Sequence, residues 1–573
     1  MWTRFDPSRF RGLLFVLFAA ALVVTTYGGG SEGLAQDRTQ ARSMVISRDG
    51  IVAAESPLAA QAGVQMLERG GNAIDAAVAA NAMMGLVAPM SNGIGGDLFA
   101  IVYDAKSGKL YGLNASGWAP AGLTIDFLKK QGFQDMPARG IQSVTVPGAV
   151  DGWQKLEDRF GKKKLAAVLA PAIRMAQDGF PVTEWISGLW QANAEFLRGN
   201  EAAAHTYLPE NRAPAVGQIF RNPDLAHSLQ LIAQGGRDAF YKGEIAKAII
   251  ETSRGHGGTH AEKDFAEYSS EWVDPISTTY RGWTVYELPP NGQGLAALEM
   301  LNIMETFPLD KWGLNSAATL HAMIEAKKLA YADLVRYIGD PRFSTLPVKQ
   351  LLSKDFAAQR TKLIDPNKAN CNVGPATSLP GSSTIYLSAV DREGNMVSLI
   401  QSNFDDFGSG IVAAGTGFIL HNRGALFSLD SSSPNALAPH KRPLHTIIPA
   451  MMEKGNTRIA FGIMGGWNQS QAHAQYVSHI VDFNQNIQAA METARFTKLT
   501  FHGCDVELEN RVGADVKAEL EAKGHLVRMH NGYSNRFGGG QAVMRDYAAG
   551  VNYGASDPRK DGAAVPELPA SNP

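Results

Sequence analysis

Cysteine is nearly absent. Cys371 and Cys504 are the only two in 573 residues, so no zinc-ligand cysteine pattern can be built from this chain. An excess of one charge sign is also missing: 53 Lys and Arg stand against 55 Asp and Glu, a net charge of −2. That leaves no basic stretch and no electrostatic footprint for nucleic acid. No internal repeat is evident. The N-terminal apolar run, Leu13 to Val24, is shorter than the ~20 residues that cross a bilayer. What is present fits a large enzyme, since 45% hydrophobic residues with 19% charged ones are enough to bury a sizeable core. Length alone allows about four domains of ~150 residues.

The first 35 residues read as targeting sequence. Arg4, Arg9 and Arg11 precede the apolar run, and Gly33-Leu34-Ala35 offers a small-residue cleavage site before Gln36. Retention of this segment as an anchor is the alternative. A periplasmic or secreted location is expected. No cysteine follows the apolar run, which argues against a lipoprotein.

Helical spacing covers Pro57 to Arg69 and Asn72 to Leu86, with Gly70-Gly71 as the stop between them. The alanine-rich second segment suits close helix packing. Further helices are predicted over Leu165 to Gln177, Leu225 to Gln234 and Ala317 to Tyr337. Strand-like hairpins are predicted from Thr384 to Ile419, with short strands at Arg458 to Ile463 and Gly540 to Arg545. Helices and antiparallel strands in separate runs predict an α+β layered domain. The Pro-, Ala-, Asp- and Lys-bearing tail, 555–573, is predicted to be disordered.

Three patterns are set aside. Gly29-Gly30-Ser31-Glu32-Gly33 matches a serine-hydrolase elbow without its strand–turn–helix setting. His256 and His260 are four apart, but Gly257-Gly258 between them argues against a zinc-binding helix. The Gly93, Gly95 and Gly96 cluster has neither the preceding strand nor the following helix of a dinucleotide loop, and is expected to permit close backbone packing.

The informative stretch is GSSTIYLSAVDREGNMVSLIQSNFDDFGSG, Gly381 to Gly410. Small residues lead into Thr384, which opens a strand running to Val390. A turn then leads to a second strand, Met396 to Gln401. By spacing alone this is a buried hairpin with a strand threonine. It is also the layout of a self-cleaving precursor. Breaking the Ser383–Thr384 bond gives Thr384 a free α-amine beside its own hydroxyl, and that amine is a general base for a weak nucleophile.

Seven blocks in order decide between these readings. They are GGNAIDAAVAANAMMGLVAPMSNGIGGDLFAIVYD (Gly70 to Asp104), SVTVPGAVDGW (Ser143 to Trp153), ELPPNGQG (Glu287 to Gly294), EAKKLAYADLVRYIGDP (Glu325 to Pro341), the Thr384 block, KRPLHTIIPAM (Lys441 to Met451) and GIMGGWNQSQ (Gly462 to Gln471). Together they resemble the γ-glutamyltransferase family of N-terminal-nucleophile hydrolases over roughly Val45 to Asp546. The resemblance implies a four-layer αββα sandwich built from a large fragment, 36–383, and a small fragment, 384–573, that form a heterodimer. It places the nucleophile at Thr384 and the cleavage site at Ser383–Thr384. Ser402 falls on a hydroxyl that contacts the nucleophile, and Gly465 and Gly466 on the oxyanion hole. Such donors contribute ~2.7–4 kcal/mol each at the transition state. The scheme requires no cofactor and no metal. The two cysteines are expected to be unpaired, since the sequence shows no proximity between them; a bridge would tie the two fragments together.

The departures all touch substrate recognition. Glutamyl-specific members resemble this chain except where they hold the glutamate. Their arginine position is Ser116, their aspartate position Leu426, a substrate-contacting asparagine Phe404, a glutamine Arg423, and a serine pair His445-Thr446. Losing one partner of a buried charge pair costs ~2–5 kcal/mol. Two such losses, at least ~4 kcal/mol, weaken binding about a thousandfold. Leu426 and Phe404 make the pocket less polar, while Arg423 and His445 are expected to offer positive charge to an acidic acyl group. The other reading of Arg423 is a surface or interdomain ion pair. The NRGA run resembles the oxamate amidohydrolase branch. The short segment from Ser428 to His440 implies an open cleft that favours water as acceptor.

The sequence thus predicts a self-processing amide hydrolase for a small acidic, oxamate-like amide. Two other readings stand beside it: a glutathione hydrolase or γ-glutamyltransferase that holds glutamate differently, and a non-catalytic binding protein with the same fold.

Overall fold

Strands with apolar residues on both faces must be covered on both, and that requirement builds this molecule. The computed structural model describes residues 40–374 and 383–569, so the expected leader, 1–35, lies outside the described residues. Residues Arg42–Pro573 cluster as one unit, and Met1–Ala41 as another of which only Gln40 and Ala41 are described. Two seven-stranded sheets form the centre. One runs, edge to edge, Ala563–Pro566, Ile51–Ala54, Ser383–Val390, Met396–Phe404, Asp97–Asp104, Lys109–Ala115, Glu271–Val273. The other runs Val45–Ser47, Val551–Ser556, Gly540–Asp546, Thr457–Ile463, Ala450–Lys454, Trp283–Glu287, Ile276–Tyr280. Every pairing within these two sheets is antiparallel.

Alternation sorts the side chains. In Asp97–Asp104, Leu98, Ala100 and Val102 join a core shared with the helices Pro57–Glu68 and Ala73–Val87. Phe99, Ile101 and Tyr103 point the other way, into the core between the sheets, where they meet Tyr386, Ile400, Met451 and Val543. The second sheet turns Val285, Met452, Ile459 and Phe461 outward onto the helices Gly294–Met304, Ala317–Tyr337 and Gln469–Val481. Helix, sheet, sheet and helix are therefore stacked as the α+β, αββα expectation requires. By the same parity, Thr384 follows Tyr386, Ser402 follows Ile400, and Asp97 follows Phe99. All three aim into the space between the sheets.

The hairpin is observed as Ser383–Val390 and Met396–Phe404, and the helix Ala317–Tyr337 has the predicted bounds. The segment predicted as Leu225 to Gln234 is longer, Pro223–Tyr241, with a break at Gly236. The alanine-rich helix Ala73–Val87 is buried almost all round and starts at a capping box of Asn72 and Asp75.

Three expectations are corrected. Beyond Phe404 the chain forms no further hairpin: 405–419 is turns and loop with a single bridge, Val412 to Ile419. Glycines at 408, 410, 415 and 417, all with positive φ, break the strand pattern there. The tail is ordered through 569. Val551–Ser556 and Ala563–Pro566 are strands, and Asp557 and Arg559 between them are buried. Both are paired inside the fold, Asp557 with Arg495 at 2.7 Å and Arg559 with Glu509 at 2.5 Å. Finally, Cys371 and Cys504 form a disulfide across 133 residues, with Cα atoms 4.8 Å apart. Their proximity comes from tertiary packing, where Gly503 N–H donates to the Cys371 carbonyl at 3.0 Å, and no local pattern announces it.

Among the described residues, no helix is long and apolar enough to cross a membrane.

Candidate active site

Thr384 is fully buried at the start of its strand, beside a register shift between Ser383 and Ile385. Its Oγ1 lies 3.0 Å from Ser402 Oγ. The Ser402 hydroxyl donates to the Ser383 carbonyl oxygen at 2.8 Å and accepts the Phe404 N–H at 2.8 Å. A hydroxyl has one proton to give. Ser402 has spent it on the Ser383 carbonyl, so in the Thr384–Ser402 contact the donor is Thr384. The arrangement orients the Thr384 oxygen and polarises the carbonyl of the preceding residue together.

Glycine is needed to bring these strands close. A Cβ on Gly96 would lie 2.5 Å from the Ser402 carbonyl oxygen, which fits the close packing expected of that cluster. Immediately after, Asp97 opens the next strand as the cross-strand partner of Ser402.

Asp97 is the hub of the second half of the site. Its Oδ1 accepts the Gly117 N–H at 2.7 Å. Its Oδ2 lies 2.8 Å from His445 Nε2, 3.0 Å from His421 Nδ1 and 3.4 Å from Arg423 Nε. Arg423 donates through Nη1 to Thr446 Oγ1 at 2.7 Å, and its guanidinium lies 4.5 Å from the Phe404 ring centroid. None of these side chains reaches solvent. Burial pushes the Asp97 carboxyl up, but His421 and His445 outweigh it and hold the group well below the usual carboxylate range. Burial, with Asp97 and Asp405 opposing, pulls Arg423 down to about 10, so it stays charged at neutral pH. Burial, then the charge of Arg423, pushes His445 down to about 3.

Two expectations change here. Arg423 is neither a surface nor an interdomain group, because it is buried, with Asp97 and Phe404 against its guanidinium. His445 does not carry the positive charge expected of it, because a desolvated imidazole beside a guanidinium is neutral at ordinary pH. Its Nε2–H donates to Asp97, which leaves Nδ1 as an unpartnered acceptor among the described residues. Arg423 Nη2 is likewise a buried donor with no partner among the described residues.

Ser116 is buried next to this cluster, its hydroxyl donating to Asn114 Oδ1 at 2.7 Å and accepting from Asn291 Nδ2 at 3.2 Å. Leu426 sits in a short helical turn, Arg423–Leu426, and packs in the apolar core without offering a polar group. The glycine turn follows the strand Thr457–Ile463. Gly465 and Gly466 have φ of +132° and +59°, a region in which L side chains are strained. Gln293 ties this turn to the Arg423 side of the site, donating to the Gly466 carbonyl at 2.7 Å and the Thr446 carbonyl at 2.5 Å.

Asp97, Gln293, His421 and Asn291 were not singled out by sequence reasoning. A signal existed for Asp97, a charge that opens a strand whose next six residues, Leu98 to Tyr103, carry no charge. Gln293 and Asn291 lay inside a recognised block, but nothing local marks which carbonyls they reach. Away from this site, His321, Glu325 and His525 bring possible metal ligands within 4.8 Å of one another. The Lys328 ammonium stands 2.6 Å from Glu325 and already supplies the cation. His256 and His260 form no pair: His260 is buried against Ser253 and His256 is exposed.

A family model described as gamma-glutamyltranspeptidase matches residues 59–567. The chain is 37% identical over 529 residues to a glutathione hydrolase-like YwrD proenzyme of Bacillus subtilis, covering 91% of this chain and 99% of that one. It is 33% identical over 530 residues to an oxamate amidohydrolase proenzyme of Klebsiella pneumoniae, covering 91% and 99%. A crystal structure of a cephalosporin acylase from Bacillus halodurans superposes with a TM-score of 0.86 at 41% identity, covering 93% of this chain and 98% of that one.

Proposed function

Because this chain belongs to the gamma-glutamyltranspeptidase family, as an amide hydrolase of the N-terminal-nucleophile type, we propose that it cuts itself at Ser383–Thr384 and then hydrolyses a small acidic, oxamate-like amide with Thr384. One observation carries the reading: the Ser402 hydroxyl holds the Thr384 oxygen at 3.0 Å and donates to the Ser383 carbonyl at 2.8 Å.

In self-cleavage the Thr384 oxygen attacks the Ser383 carbonyl carbon. The Ser383–Thr384 C–N bond breaks, its electron pair and a proton go to the Thr384 nitrogen, and an ester results. Water hydrolyses that ester, freeing the Ser383 carboxylate and restoring the Thr384 hydroxyl beside its already released α-amine. The large and small fragments stay together as a heterodimer. In turnover the α-amine takes the hydroxyl proton as Oγ1 attacks the substrate amide carbon. The leaving nitrogen departs with a proton, and water releases the acid from the acyl-enzyme. The Gly465–Gly466 turn serves as the oxyanion hole in both reactions.

Substrate choice falls to Arg423, Thr446, His445 and Phe404, with Leu426 and Ser116 where glutamyl enzymes hold an α-amino acid. A charged guanidinium against Phe404, two residues from Ser402, suits an acyl group with an anionic end. The leader, 1–35, sends the protein to the periplasm or outside.

The test is intact mass plus a substrate panel. A fragment beginning at Thr384 and ammonia release from oxamate are expected. Normal rates on γ-glutamyl p-nitroanilide would instead favour a glutathione hydrolase, and an uncut, inert chain would favour a binding protein.

A further inference from the structure

We propose that Asp97 is a specificity-determining residue, a built-in carboxylate that competes with the acyl group of the substrate for Arg423. This rests on the reading above, in which Arg423 lies in the acyl pocket.

Position carries the argument first. Asp97 is the cross-strand partner of Ser402, and the Ser402 hydroxyl touches the nucleophile. Cross-strand partners put their side chains on one face. The Asp97 carboxylate is therefore beside the reaction centre, at the same end of the sheet.

Chemistry carries it further. Arg423 has five N–H groups. Nη1 is taken by Thr446 Oγ1, and Nε faces Asp97 Oδ2 at 3.4 Å, too long for a good hydrogen bond. Nη2 has no partner among the described residues. The guanidinium is thus neutralised by Asp97 but not saturated by it. An incoming carboxylate gains the free Nη2 donor, yet it meets the Asp97 charge across the same guanidinium. A neutral carboxamide gains the same donor without that repulsion, and His445 Nδ1, an unpartnered acceptor in the same cluster, suits its N–H. Asp97 hence moderates the preference for acidic acyl groups and keeps neutral polar ones competitive. Gly117 N–H and the His445 imidazole pin the carboxylate, so it cannot swing away when a ligand enters.

The test compares the processed wild-type protein with Asp97→Asn, which keeps the shape and an acceptor for Gly117 N–H. Calorimetry measures binding of three dicarboxylates (oxalate, succinate, glutarate) and the matching diamides. The variant is expected to gain at least tenfold in the ratio of dicarboxylate to diamide affinity for whichever length fits best. Adding Arg423→Gln to Asp97→Asn should erase the gain. An unchanged or reduced ratio overturns the proposal, as does binding of none of the six probes by either protein. Should Asp97→Asn fail to fold or mature, Thr384→Ala and Thr384→Ala/Asp97→Asn precursors are compared by thermal shift with the same probes and the same criterion. Failure of the substrate reading shows separately, as no ammonia from oxamate with wild-type protein.

Discussion

The Ser402 hydroxyl donates to the carbonyl oxygen of Ser383 at 2.8 Å, so the carbonyl next to the nucleophile is already polarised in the uncut chain. Ser402→Ala removes this donor and the contact that orients Thr384. A hydrogen bond of this kind, with a buried acceptor left behind, is worth about 1–3 kcal/mol. Self-cleavage should slow about tenfold to a hundredfold, followed as fragment appearance by mass spectrometry. Thr384→Ala should leave one full-length chain with no turnover; maturation of that variant into two fragments would refute the assignment.

Poor use of glutamyl substrates is expected to be large in size. With Ser116 and Leu426 in place of charged partners, kcat/KM for γ-glutamyl p-nitroanilide should lie about a thousandfold or more below that for the preferred amide. Comparable values for the two would remove the substrate argument.

Gln293 offers one amide to two carbonyls, those of Thr446 and Gly466. Gln293→Glu turns that donor into an acceptor facing two acceptors. Both self-cleavage and kcat should fall about a hundredfold, with KM changed far less, because the glycine turn acts on the transition state. Equal effects on kcat and KM, or a lowered melting temperature alone, would reduce Gln293 to a packing residue. Gln293→His, which restores one N–H, should recover part of the rate.

Acid should weaken the fold through buried histidines. Burial pushes His479 down to about 3 from an unfolded value of about 6.5. As pH falls below about 6.5 the unfolded chain takes a proton that the folded one refuses. The stability contributed by the neutral ring is thus present above 6.5 and lost towards 3, at up to ~1.4 kcal/mol per pH unit. Unfolding free energies of wild type and His479→Leu from urea titrations should converge by about 2 kcal/mol between pH 7 and pH 5. Parallel curves would show that His479 titrates normally.

The Cys371–Cys504 bridge lies on both sides of the expected cut. Matured protein should run as one species on a denaturing gel without reductant and as two with it. In the uncut chain the bridge closes a loop of 133 residues, worth about 4–5 kcal/mol on chain-entropy grounds. Cys371→Ser should lower the melting temperature and, once cut, make it depend on protein concentration.

The α+β layering and the hairpin that begins at Thr384 were legible because they are written locally, while the αββα order came from the family resemblance. Alternating apolar residues around Thr384 and helical spacing over Ala317–Tyr337 each need only their own segment. What escaped is what depends on distant partners. The tail read as disordered on its Pro, Ala, Asp and Lys, and only the fold brings Arg495 to Asp557 and Glu509 to Arg559. The cysteines looked solitary for the same reason. Arg423 keeps the positive charge expected of it, whereas His445 does not, since burial and then the neighbouring Arg423 guanidinium, neither of them a local sequence signal, hold its ring neutral.

The order of strands has a consequence for how such a protein is made. In the nucleophile sheet, Ala563–Pro566 and Ser383–Val390 flank Ile51–Ala54, so stretches from before and after position 383 are shuffled together like cards. Two halves expressed from separate genes would have no finished surfaces to dock. They must fold around each other, and scission belongs at the close of that process, once the deck is set.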